Sequence, residues 1–130
     1  MPIKKGKTER GTDVQIFLSV LGYREGSRWV ALALEMDVRG YGKTFSEAQN
    51  DLLDLINMQI SFARFKKQPT LIFRPADPVW FGRFAEARNQ RLRELMQEPR
   101  RNSEYQVSGL PIPRPHVIAN LLSSFHEVYG

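Results

Sequence analysis

The order of apolar residues predicts an α+β fold: a three-stranded antiparallel sheet packed on a long helix, with an additional C-terminal helix and a Pro-rich tail. Three observations carry this. Alternating apolar runs at residues 14–23 and 29–36 flank a Gly-containing turn, the pattern of a β-hairpin. Thr44-Phe-Ser-Glu47 has the form of a capping box and opens a run of apolar residues at helical spacing. Prolines at 69, 75, 78, 99, 111, 113 and 115 then punctuate the rest of the chain.

Each element follows from its residues. Residues 1–12 are polar and Lys-rich and read as a flexible basic arm. Val14, Ile16, Leu18 and Val20 fall at spacing two, which places them on one strand face. Phe17 and Leu21 between them make the opposite face partly apolar, so both faces of this strand call for cover. Gly26 is the turn residue able to take positive φ. In the second strand Val30, Leu32, Leu34 and Met36 are large, whereas Ala31 and Ala33 on the other face are small. Residues 37–43 suit a short third strand in which Gly40 and Gly42 bend the chain or admit a close neighbour.

The capping box predicts reciprocal bonds between Thr44 and Glu47 and a helix carrying Ala48, Leu52, Leu55, Ile56, Gln59, Ile60 and Ala63 on its core stripe. That helix should stop among Arg64 to Gln68, because Pro69 restricts the residue before it. Thr70 to Phe73 resembles a short strand. Asp77 followed by Pro78 predicts a second helix start, with Trp80, Phe81, Phe84, Ala87, Arg91, Leu95 and Met96 on one face and an end near Gln97. Tyr105 to Val107 suits an edge strand, the prolines after it favour an extended path, and Val117 to Tyr129 reads as a terminal helix. The domain reading is therefore an arm at 1–12, an α/β domain at 13–74 and a helical, Pro-rich extension at 75–130.

Composition narrows the function. The 130 residues include no cysteine, which excludes a disulfide framework, a thiolate zinc site and a cysteine nucleophile. The basic N-terminus is followed by no apolar h-region, so no signal peptide is expected. No apolar run approaches the ~20 residues that span a bilayer. The expectation is a cytoplasmic chain without membrane contact. The net charge is +5, which permits an acidic partner without specifying one.

The stretch Trp29-Val-Ala31, then Leu34-Glu-Met-Asp-Val38, then Gly42-Lys-Thr44, Glu47-Ala48 and Leu52 resembles the HicB-like antitoxin family, over roughly residues 13–65. The resemblance implies a three-stranded antiparallel sheet on a helix, a partial ribonuclease H-like fold. It also implies a partner, since members commonly neutralise a small HicA-like ribonuclease toxin and many bind operator DNA. Where some members carry Pro-Gly before the third strand, this chain has Met36-Asp37. Its C-terminal half shows no helix-turn-helix or ribbon-helix-helix pattern.

No catalytic or metal-ligating set emerges, and no cofactor is implied. Two-metal hydrolysis needs several converging carboxylates. Here Asp13 precedes the first strand, Glu35 and Asp37 sit on one strand face, and Asp51 and Asp54 lie on the helix. His116 and His126 lack metal-ligand spacing, and no serine sits in a nucleophile elbow. The expectation is a non-enzymatic module acting by occlusion with its sheet face or tail. Trp29, Tyr41, Trp80 and Phe81 are its candidate partner contacts, and homo-oligomerisation is expected. The alternative is nucleic-acid binding through Arg83, Arg88, Arg91, Arg93, Arg100 and Arg101, because arginine pairs with phosphate and stacks on bases. Residues 65–130 hold ten Lys or Arg against six Asp or Glu, whereas residues 1–64 hold nine against eight. A structural or assembly homo-oligomer subunit is the third reading.

Overall fold

The computed structural model describes residues 15–96 and 104–129, with side chains described as far as residue 123. The proposed arm at 1–12 lies outside the described residues, as do Arg100, Arg101 and the side chain of His126. The elements are β1 (Phe17–Glu25), β2 (Arg28–Ala33), β3 (Val38–Gly42), α1 (Phe45–Lys66), a 3₁₀ turn (Pro69–Leu71), α2 (Pro78–Leu95), β4 (Tyr105–Pro111) and α3 (Pro115–Tyr129). The sheet is antiparallel with strand order β3-β2-β1-β4.

The fold is therefore α+β with four strands rather than three. The fourth strand, Tyr105–Pro111, contains the Tyr105 to Val107 run that suits an edge strand and extends into the Pro-rich segment read as a tail. β4 pairs along the free side of β1, from Phe17 opposite Pro111 to Tyr23 opposite Tyr105. Pro111 at its end is tolerated because β4 is an edge strand. Residues 70–73 also differ from the strand expected there. Pro69 starts a 3₁₀ turn, and Gln59 of α1 donates to the Leu71 carbonyl at 2.7 Å, fixing that turn on the helix.

The hairpin turn closes at Gly26 with φ 67°, and Glu25 pairs with Arg28 across it at 2.8 Å. β2 stops at Ala33, so Glu35 and Asp37 sit in the turn to β3 and not on a strand face. Asp37 takes φ 55° there, and its N–H donates to the Ala33 carbonyl at 2.8 Å. α1 is capped as the sequence requires: Thr44 Oγ1 accepts from Glu47 N at 3.1 Å. The return bond differs by one residue, since Glu47 Oε1 accepts from Lys43 N at 3.0 Å. Lys67 closes the helix in the left-handed conformation, its N–H donating to the Ala63 and Arg64 carbonyls.

The two faces of the sheet carry separate cores. Leu18, Val20, Ala31 and Ala33 face α1, whose Ala48, Leu52, Ile56, Ile60 and Ala63 are buried against them. Gly40 brings the backbones together: a Cβ there would stand 2.5 Å from the Ala48 carbonyl oxygen and 2.7 Å from Leu52 Cα. α3 completes this layer with Ile118 and Leu121. Arg114, at φ 51°, anchors its start by donating to Asn57 O at 2.8 Å and Ser61 Oγ at 2.9 Å. Leu21, Leu32 and Leu34 face the other way and pack under α2 with Ala76 and Ala87. Asp77 caps α2, accepting from Val79 N at 3.0 Å.

Candidate functional site

The α2 side of the sheet brings two of the described candidates, Trp80 and Arg83, together. Ala87 is the one buried residue of α2, and Trp80 and Phe84 are left half-covered at the sheet. Trp80 stacks on Tyr23 of β1 with ring centroids 4.9 Å apart. The guanidinium groups of Arg83 and Arg39 lie 4.8 Å and 5.3 Å from the Trp80 ring, a cation–π arrangement. Arg39 Nε also donates to Tyr23 Oη at 3.1 Å, and its Nη1 to Asp37 at 2.9 Å. Partial burial penalises the Arg39 charge, but these two partners outweigh it and raise its pKa above the ordinary value. Arg39 is thus a fixed cation at any working pH. Sequence reasoning missed it and Tyr23, because only strand register brings β3, β1 and α2 together.

The other candidates are distributed more widely. Tyr41 stands at the exposed edge of the sheet under the Arg28 guanidinium, 4.1 Å from its ring. Trp29 is half-buried on the α1 side, 5.9 Å from the Phe45 ring, with Arg24 over it at 5.7 Å. Phe81 is exposed on α2. Arg88 lines a shallow cleft with Phe17 and Phe84. Arg91 lies 3.5 Å from Glu94, and Arg93 donates to Gln90 at 3.1 Å.

Three of the carboxylates that metal chemistry would draw on, Glu35, Asp37 and Asp51, serve other groups, and Asp13 lies outside the described residues. Glu35 accepts from Ser19 N at 2.8 Å. Asp37 holds Arg39, and Asp51 accepts from Tyr41 N at 2.9 Å, closing part of the β3 edge. Among the described residues no group of three or more His, Cys, Asp or Glu is placed to hold a metal ion, and no helix is long and apolar enough to cross a membrane.

Two clefts open between α2 and the β1–β4 strands. One, of about 550 Å³, is lined by Tyr23, Arg24, Trp80, Arg83, Glu104 and Tyr105. The second, of about 310 Å³, lies against Phe17, Phe84, Arg88, Val107 and Gly109. A third surface lies on α1, where Met58, Phe62 and Phe65 form an apolar row exposed by 66%, 53% and 80%. No family model, curated protein or solved structure matches the chain.

Proposed function

We propose that the chain is a non-enzymatic binding module of the HicB type that inhibits a small ribonuclease toxin by covering its active surface. The observation that carries this reading is the backbone at Asp37. Met36-Asp37 replaces the Pro-Gly of some family members, yet Asp37 takes φ 55°, the left-handed conformation that glycine adopts at no steric cost. The left-handed backbone at Asp37 is one that the Gly of a Pro-Gly pair would suit, and this supports the reading. The order hairpin, third strand and Thr44-capped helix supports the same reading. So does the employment of Glu35, Asp37 and Asp51 in fixed structural contacts.

Occlusion by a bare sheet face is not available to this chain, because α1 covers one face and α2 the other. One exposed apolar surface open to a protein partner is the row Met58, Phe62 and Phe65, spaced by four and three residues along α1. Exposed apolar rows of this kind mark protein contacts. The test is capture of the tagged full chain from native extract after nuclease treatment. The expected result is one small protein that cleaves RNA alone and is silenced in a defined complex with this chain. Phe62→Asp combined with Phe65→Asp should release it. Recovery of the chain by itself, or of a protein without ribonuclease activity, overturns the reading.

A further inference from the structure

We infer that the trough between α2 and the β1–β4 strands is a binding site for single-stranded nucleic acid, with unpaired bases on Phe17 and Phe84 and phosphates on Arg83 and Arg88. The argument starts from direction. Trp80 shares the first cleft with Tyr105, while Phe84 and Arg88 share the second with Val107 and Gly109. α2 therefore runs in the same direction as β4. Eight residues of helix rise roughly 12 Å, and four residues of strand roughly 13 Å, so the two elements keep pace and the clefts lie in line. The trough is thus two clefts in line along one flank of α2, each with aromatic rings and an arginine: Trp80, Tyr105 and Arg83 at one, Phe17, Phe84 and Arg88 at the other.

Charge selects the occupant. Arg39 and Arg83 already lie over Trp80, so a cationic ligand meets repulsion at the best aromatic face. Among the described residues, Arg83 and Arg88 line the trough without ion-pair partners, whereas the Arg24 guanidinium lies over Trp29 on the other side of the sheet. Of the two carboxylates there, Glu25 is paired with Arg28 at 2.8 Å, leaving Glu104 as an acceptor for base amino or sugar hydroxyl groups. The ligand must therefore combine repeated negative charge with flat apolar surface. A single nucleic-acid strand supplies both, since every base has a π-face and every linkage a phosphate. A duplex hides its base faces by stacking and presents none to Phe17 or Phe84.

This site is separate from the apolar row on α1, and its test is independent of the toxin-inhibitor reading. Fluorescein-labelled single strands of about ten nucleotides, RNA and DNA, are titrated with the full chain by anisotropy from roughly 50 to 200 mM salt. The matching duplex and polyglutamate serve as competitors. Both exposed arginines are changed together, Arg83→Ala with Arg88→Ala, so folding is preserved and is checked by circular dichroism. Single strands should bind, and the double variant should weaken binding by about tenfold or more. The slope of log affinity against log salt should shrink by about 0.7 for each phosphate that is no longer neutralised. Phe17→Ala should weaken binding while leaving that slope unchanged, because it removes stacking and no charge. Absence of single-strand binding, an unchanged double variant, tighter binding of the duplex, or equal displacement by polyglutamate each overturns the inference. Retention of a ribonuclease partner together with absent oligonucleotide binding overturns it while leaving the toxin-inhibitor reading standing.

Discussion

One sheet carries two helices, and it treats them differently. Against α1 it presents small residues, Ala31, Ala33 and Gly40, so helix and sheet backbones approach closely and five α1 side chains are fully buried. Against α2 it presents Leu21, Leu32 and Leu34. Trp80 and Phe84 bridge to these leucines, only Ala87 is buried on the helix, and open clefts remain along its flank. Close packing on one side supplies cohesion, since stabilisation follows the apolar area removed from water. Loose packing on the other leaves aromatic and cationic groups within reach of a ligand. Stability and binding are thus divided between the two faces of a single layer.

The largest test of that division compares Leu52→Ala with Phe84→Ala in urea unfolding. Leu52 is wholly buried, so its truncation should cost about 2–5 kcal/mol. Phe84 is half-covered, and its loss should cost about 1–2 kcal/mol, a fraction of full burial. Equal losses would erase the distinction. Gly40→Ala comes next, at about 1–3 kcal/mol, because the new methyl meets the α1 backbone, which cannot rotate aside. A cost near zero would mean that α1 is not held against β3. The two helix caps sharpen the comparison at smaller scale. Thr44→Ala and Asp77→Ala should each cost about 1 kcal/mol. In hydrogen exchange, the first should raise exchange along α1 only through global unfolding, the second by local opening of α2 alone. The smallest effect is expected for Asp37→Gly. It relieves a left-handed residue by about 1–2 kcal/mol, against the entropy cost of glycine, about 0.5–1 kcal/mol, and the loss of the partly exposed pair with Arg39, worth about 0–1 kcal/mol, so thermal denaturation should show a net shift of about 1 kcal/mol or less.

The elements easiest to read from sequence are those whose signals are local. Thr44 and Glu47 announce α1, Asp77 and Pro78 announce α2, and Gly26 announces the hairpin, because each acts on neighbours within a turn of chain. Residues 70–73 look like a strand but are not one, because a short apolar run carries no period. What fixes them is Pro69 and a hydrogen bond from Gln59, on a helix preceding them. The candidate site is legible only in part. Trp80, Arg83 and Arg88 stand out on α2, but Tyr23, Arg39 and Tyr105 join them through register, which no spacing within one segment reveals. Trp29 and Tyr41 group together as partner contacts only by residue type. Strand alternation sends Trp29 toward Phe45 and Tyr41 to the opposite face.

Neighbouring residues suffice for the order of most elements, their caps and the two apolar faces of β1 and β2, since alternation, helical spacing and capping all act along the chain. The return of residues 105–111 to lie beside β1, which turns a three-stranded sheet into a four-stranded one, is settled by long-range packing. So is the face that each helix covers. A strand's backbone groups specify hydrogen bonds but not a partner. The partner is chosen by the arrangement that packs Leu110 and Ile112 with the α1 core while placing Tyr105 and Val107 under α2.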